Sequence, residues 1–400
     1  MPLCDATMTP VEEIAARTAA LQAHLHRLDL GGALLAQNTD LFYFSGTLQQ
    51  AHLYVPDRGE PVLMVRKHLP RARAESPLAR IVALGSPKEI PALLQRFGLA
   101  LPKRLGLELD VLPAQRYLGL CRLLPNTRMI DISDAVRQVR AVKSAYEIDK
   151  IQEAARRGDA VHAAVPGLIE AGLSEVALAG RIEAEARRLG HQGVVRMRLW
   201  GAELFYGHLM SGVNAAAPSF LASPTGGRGL GPAVAQGPSL APVAPGVPIL
   251  VDYVFAYDGY LADQTRIYVI GTLPEALHRA HEAMVALQDE LAERLRPGAV
   301  AGDLYQWSLE RAVDLGYAAH FMGAADDRIR FVGHGIGLEL DEYPFLAQGQ
   351  ETVVAEGMIV ALEPKLIFPE MGVVGIENTW LVTNDGARRL TRLPDAVVSV

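Results

Sequence analysis

Apolar positions recur at helical spacing through residues 11–29 (Val11, Ile14, Ala15, Ala19, Leu21, Leu25, Leu28), and the pattern stops at Gly31-Gly32. This spacing predicts an amphipathic helix with a glycine stop. Short apolar runs follow at 32–37 (GALLAQ), 51–56 (AHLYVP) and 61–66 (PVLMVR), and helix-like segments separate them from RLGLEL at 104–109. Strands alternating with helices predict an α/β domain, assigned to residues 1–138. It carries no phosphate loop and no catalytic constellation. Residues 136–165 are charged and amphipathic and predict one long helix entering a second domain, residues 139–400.

The texture then changes. Residues 216–248 are dense in Gly, Pro, Ser and Ala, which predicts a long loop that is either functional or a tolerated insertion. Beyond it, hairpins alternate with helices. ILVDYVFAYDGYLADQTRIYVIG (249–271) holds Asp258-Gly259 between aromatic and β-branched residues, a strong hairpin signal. Helices are predicted at 274–296 and 302–316, and a second strand pair at 358–383, turning around Pro369-Glu370-Met371-Gly372.

The hairpins place acids together. With Asp258-Gly259 as the turn, Tyr257 faces Tyr260 and Asp263 faces Val254. Asp252, two places along the same strand, then shares a face with Asp263, their Cβ atoms about 7–8 Å apart or slightly less. Two carboxylates that close call for a shared proton or a cation. A turn near 370–371 puts Glu363 almost opposite Glu377. Between the hairpins in sequence lies FVGHGIGLELDEYP (331–344), with His334 in a glycine-rich turn. Four carboxylates and one imidazole suit two divalent cations, their oxygen-rich set favouring manganese, cobalt or iron over a thiolate-type zinc site. Such a pair of ions holds a bridging water and polarises a carbonyl.

Composition excludes several other classes. Half of the 400 residues are hydrophobic, and the net charge of −7 with no basic tract gives no general attraction to nucleic acid or acidic membranes. Two cysteines, Cys4 and Cys121, are too few for a disulfide framework. The N-terminus has acids where a secretory signal has basic residues, and no run of 18 apolar residues occurs, so a cytoplasmic protein is expected.

LVDYVFAYDGYLADQTR, GHGIGLELDE and LEPKLIFPEMGVVGIEN together resemble the creatinase, prolidase and aminopeptidase P branch (M24B) of the metallopeptidases. The intervals Asp252 to Asp263, His334 to Glu363 and Glu363 to Glu377 match the prolidase pattern, and the resemblance covers nearly the whole chain. It implies a creatinase-type α/β N-terminal domain and an α+β "pita-bread" catalytic domain. It further implies two divalent ions, manganese or cobalt first, then iron or zinc. Asp252 would hold one ion, Asp263 and Glu377 would bridge both, and His334 and Glu363 would complete the second site. Glu363 would shuttle the proton of a bridging water. The expected substrate is a short peptide or peptide-like amide, typically of Xaa-Pro type, and a homodimer is implied.

Three positions depart from that pattern. Asp341 stands where the peptidases have histidine, Ser219 where an upstream histidine is usual, and Gly375 where an arginine precedes the last glutamate by two. Ionised Asp341 only accepts hydrogen bonds and suits a cationic or N–H-bearing substrate, whereas a protonated Asp341 still donates. Tyr343, His208 and His320 are candidates to replace the missing donors. A non-peptidase hydrolase of small metabolites and a non-catalytic binding module are the alternatives.

Overall fold

The computed structural model describes residues 8–400 except 205, 219, 222 and 325, so Cys4 and Ser219 lie outside the described residues. The chain divides into two compact units, one ending at Arg140 and the other beginning at Ala141. Among the described residues no helix is long and apolar enough to cross a membrane.

The first unit is built on a mixed sheet of β1 (Gly32–Leu35), β2 (Ala51–Pro56), β3 (Val62–Val65), β4 (Ile81–Ala83), β5 (Arg104–Leu107) and β6 (Arg128–Asp131), in the order β4-β3-β2-β1-β5-β6. Four of the six are the apolar runs of the sequence. β1, β2 and β3 pair antiparallel, and β5 runs parallel to β1. The first helix, Val11–Arg27, ends before the glycines, because Asp29 takes a left-handed backbone (φ 54) and turns the chain.

The predicted helix over 136–165 is two helices, Ser133–Ala141 and Ala145–Ala164. Ser144 starts the second with a capping box. Its hydroxyl accepts from the Glu147 N–H at 3.3 Å, and the Glu147 carboxylate accepts from the Ser144 N–H at 3.2 Å. This reciprocal pair satisfies N–H groups that the helix leaves open. The Ser-x-x-Glu spacing at 144–147 was the available signal.

The second unit contains β7 (Gly207–Ser211), β8 (Ile249–Tyr257), β9 (Tyr260–Val269), β10 (Phe331–Gly335), β11 (Glu342–Ala347), β12 (Ile359–Leu362), β13 (Lys365–Phe368), β14 (Gly372–Gly375), β15 (Asn378–Thr383), β16 (Gly386–Arg389) and β17 (Val398–Ser399). They form a four-stranded sheet β17-β9-β8-β7, a five-stranded sheet β11-β10-β12-β15-β16 and the hairpin β13-β14. Helices Glu275–Arg294 and Ala301–Asp314 supply Leu277, Met284, Leu287, Leu291, Leu304 and Ala312 to the buried core. The described residues of 216–248 contain no strand or helix, yet the segment is anchored. The fully buried Glu175 carboxylate accepts from Ser239 N–H at 2.8 Å and Ser239 Oγ at 2.7 Å.

Candidate metal centre

Asp258 (φ 50) and Gly259 (φ 90) both take the left-handed backbone of a two-residue hairpin turn. The register that follows pairs Tyr257 with Tyr260, Val254 with Asp263 and Asp252 with Thr265. Asp252 and Asp263 therefore project from one face. On the far side of β8, β7 brings His208 directly opposite Asp252.

The second pair arises where a hairpin splits. β12 pairs with β15 as far as Leu362–Asn378, and the same register resumes in β13-β14 from Lys365–Gly375 to Phe368–Gly372. Pro364, without an N–H, interrupts the ladder between them. Glu363 and Glu377 stand opposite each other at this gap, where the chain passes from one sheet to the other.

His334 lies in strand β10, not in a turn, between β11 and β12. The flanking glycines permit that crowding. A Cβ at Gly333 would stand 2.5 Å from the Ala361 carbonyl oxygen, and one at Gly335 would stand 2.1 Å from that of Tyr343.

Asp263 from β9, His334 from β10 and Glu377 from the gap between β14 and β15 converge, each offering one ligand atom within 4.8 Å of the others. All three are buried. His334 Nδ1 faces its neighbour's carbonyl, Gly335 O, at 3.0 Å, so a proton there leaves Nε2 free to accept. Nε2 lies 3.7 Å from both Glu363 Oε1 and Glu377 Oε1. Asp263 Oδ1 and Glu377 Oε1 are buried without a hydrogen-bond partner. Asp252 and Glu363 face the fully buried Lys365, whose Nζ donates to Asp252 Oδ2 at 3.0 Å, Glu363 Oε2 at 2.8 Å and Glu377 Oε2 at 2.9 Å.

The charges perturb one another strongly. Burial raises Asp263 well above the usual carboxylate range, and Glu377 and Asp252 add to the rise. Burial, against the pull of Lys365, raises Asp252 to about 6 and Glu363 to about 7. Glu377 goes the other way, to about 2, because Lys365 and His334 outweigh the cost of its burial. Burial opposes a charge on His334, but Asp341, Glu377 and Glu363 around the ring overcome it and push its pKa well up. The cluster attracts positive charge at that point.

A cavity of about 70 Å³ opens onto these groups, lined also by His208, Leu221, Ser223, Leu340 and Asp341. Leu221 and Ser223 bring the Gly/Pro-rich segment to the site. Burial holds His208 down at about 4, with Lys365 adding to the effect, and its Nε2 has no hydrogen-bond partner. Asp341 takes a left-handed backbone (φ 62) and sets Oδ1 3.6 Å from His334 Nδ1. Its neighbour Glu342 points elsewhere, to Lys143 Nζ at 3.2 Å and the Glu339 N–H at 3.0 Å.

Two candidates are drawn away from the cavity by packing. Tyr343 lies edge-on to Phe345 and against the core, and His320 sets Nδ1 2.9 Å from the Ile367 carbonyl oxygen and tilts onto Phe368. Gly375 is more than a lost arginine. It sits opposite Lys365 with φ 153, and a Cβ there would meet the Pro364 carbonyl oxygen at 2.5 Å and Lys365 Cα at 2.6 Å. Lys365 itself escaped the sequence reading. Its signal was a lysine two places beyond Glu363, hence on the same face, at the head of an otherwise apolar strand.

Residues 149–384 match Metallopeptidase family M24, and residues 17–142 match the Creatinase/Prolidase N-terminal domain. The chain belongs to metallopeptidase family M24. Over 370 residues it is 28% identical to the Xaa-Pro dipeptidase of Pyrococcus horikoshii, covering 91% of this chain and 93% of the relative. It is 23% identical to the uncharacterized peptidase YqhT of Bacillus subtilis, covering 93% and 96%. The solved prolidase from Pyrococcus horikoshii OT3 superposes with a TM-score of 0.80 at 24% identity, over 96% of this chain and 100% of that one. Dipeptidase PepE from Mycobacterium ulcerans gives 0.80 at 25%, over 98% and 100%. A creatinase-type N-terminal domain followed by a pita-bread catalytic domain is thus the architecture of this M24 chain.

Membership of M24 implies divalent metal. The donors fit one ion, because a carboxylate oxygen of Asp263, one of Glu377 and a ring nitrogen of His334 lie within 4.8 Å of one another, and Asp263 Oδ1 and Glu377 Oε1 are buried without a hydrogen-bond partner. They do not fit an ion between Asp252, Glu363 and Glu377, where the ammonium of Lys365 already lies.

Proposed function

We propose that this M24 chain hydrolyses short peptides or peptide-like amides in a metal-dependent reaction, with Xaa-Pro dipeptides or N-terminal Xaa-Pro bonds as its substrates. The observation that carries the reading is the convergence of Asp263, His334 and Glu377 at a small cavity of a metallopeptidase fold. Support for the bond specificity comes from relatives named Xaa-Pro dipeptidase that align along most of the chain.

The assigned ligands are Asp263, His334 and Glu377, with Glu363 beside them and Asp252 at the far edge. Manganese or cobalt suits this mainly carboxylate set, followed by iron and zinc. A bound divalent ion supplies Lewis acidity toward the scissile carbonyl. Glu363 is assigned to proton transfer, as the family resemblance implies, since its carboxylate stands beside the ligands with Oε1 3.7 Å from His334 Nε2. His208 offers an unpartnered Nε2 to substrate. Asp341 faces the cavity and is assigned to substrate selection. A catalytic domain of residues 139–400, a homodimer and a cytoplasmic location complete the proposal.

Asp341 also favours a second reading. A carboxylate in place of an imidazole suits a small cationic or amide substrate rather than a prolyl peptide. Purified protein with added manganese or cobalt, assayed on Ala-Pro, Gly-Pro-Xaa peptides and a panel of small amides, separates the two. Cleavage of prolyl peptides is expected. Cleavage of small amides alone overturns the leading specificity, and no cleavage of either class under metal-replete conditions overturns the hydrolase reading.

A further inference from the structure

Lys365 is a lysine inside a carboxylate cluster, and its geometry restricts what it does. An ammonium has three N–H bonds, and three carboxylate oxygens, of Asp252, Glu363 and Glu377, receive them at 2.8–3.0 Å. No donor remains for a substrate. With its charge held by three acids the nitrogen has no lone pair to serve as base or nucleophile. What Lys365 contributes at this point is charge and position.

The same three carboxylates are the donors that a second divalent ion would need. Oxygen ligands bind such ions at about 2.0–2.2 Å, so an ion among them would overlap the volume of Nζ. Vacating that volume is costly. Lys365 is fully buried, and its N–H donates to Met322 Sδ at 3.3 Å while its carbonyl accepts from the Met322 N–H at 2.9 Å. Gly375, directly across the hairpin, has no side chain and leaves room for the Lys365 stem. An ammonium swung out of the cluster would be a buried charge without partners.

Asp263, His334 and Glu377 form a separate pocket for cation. Glu377 joins the two through different atoms: Oε2 accepts from Lys365, and Oε1 is the orphaned oxygen facing His334. One carboxylate therefore touches a permanent monovalent cation on one side and an open donor set on the other.

We propose that the Lys365 ammonium replaces one of the two divalent ions, so that this centre holds a single divalent cation, at Asp263, His334 and Glu377. Lys365 is thus a positioning residue that neutralises Asp252 and Glu363 and leaves one ion to act on substrate. The inference rests on the metallohydrolase reading for the presence of a cation but not for the bond cleaved.

The test loads the full chain with manganese(II) alone, removes the excess, and measures bound metal by elemental analysis together with the electron paramagnetic resonance spectrum. The expected result is one manganese per chain with the six-line spectrum of an isolated ion. Lys365→Ala empties the second position and is expected to bind two per chain, with an exchange-coupled spectrum, whereas Lys365→Arg keeps the single ion. Two ions per chain in the wild-type protein, none at all, or a folded Lys365→Ala protein that still takes one would overturn the proposal. Should Lys365→Ala not fold, the wild-type stoichiometry and spectrum decide. A one-manganese protein that cleaves no peptide or amide loses its proposed activity and keeps this inference, and an active protein with two ions does the reverse.

Discussion

Glu175 offers the most demanding test of how the Gly/Pro-rich segment is held beside the site. Its carboxylate lies fully buried at the start of helix Glu175–Arg188 and accepts five hydrogen bonds. They come from Ser211 N–H at 2.6 Å, Ser211 Oγ at 2.8 Å, Asn214 Nδ2 at 2.6 Å, Ser239 N–H at 2.8 Å and Ser239 Oγ at 2.7 Å. One side chain thus ties the end of β7, the short helix after it and the loop at 239 to a single point. Glu175→Gln keeps the shape but turns an NH2 group toward donors. The hydroxyls of Ser211 and Ser239 can rotate away, whereas a backbone N–H left facing that group cannot. Hydrogen bonds to a charged acceptor are worth about 1.5–3 kcal/mol each, and two or so are lost outright, for a cost of roughly 3–5 kcal/mol. In a unit of this size that lowers Tm by roughly 6–9 °C. Scanning calorimetry of wild type and variant, with Ser239→Ala as a milder companion at about 1–2 kcal/mol, measures it. Because Leu221 and Ser223 of the same segment line the cavity, KM is expected to rise more than metal affinity falls. A Tm shift under about 2 °C would refute the clamp.

Three further outcomes follow from other residues. Gly375→Ala combines left-handed strain with overlap on the Pro364 oxygen and Lys365 Cα, and is expected to lose about 2–5 kcal/mol in urea denaturation; a loss under about 1 kcal/mol contradicts the packing. Asp341→His is tolerated by the backbone, since histidine is among the residues found at φ near +60°, and a gain in cleavage of Ala-Pro over wild type is expected, with an unchanged substrate profile counting against a selecting role. His162 is buried, and that burial lowers its pKa to about 3. The folded state therefore prefers neutral imidazole, and the stabilisation is present above the unfolded pKa near 6.5 and is lost as pH falls from there toward 3. The stability of wild type relative to His162→Gln should drop by about 2 kcal/mol between pH 7.5 and pH 5, and a constant or rising difference would falsify the assignment.

Local chemistry made much of this protein legible from its residues alone. Asp258-Gly259 fixes a two-residue turn, and period-two geometry then dictates that Asp252 and Asp263 share a face. The turn near 370 likewise sets Glu363 against Glu377. The apolar runs of the first unit announce its strands, because buried strands need little beyond continuous apolar character. Sequence intervals also led to the M24 family, though a resemblance is not a derivation. Other features were written locally and overlooked, among them the capping box at 144–147.

Only the tertiary structure decided how these pieces meet. That β10 lies between β11 and β12, and that Asp263 approaches His334 from another sheet, depends on pairings between residues far apart in the chain, for which no local preference exists. Packing holds Tyr343 against the core and His320 against Phe368, and leaves His208 facing the acids. Lys365 is the clearest case. In sequence it is one cation among 38 lysines and arginines; in the fold it is a buried charge that donates to Asp252, Glu363 and Glu377, because two sheets bring those three carboxylates together and a buried ammonium needs such partners.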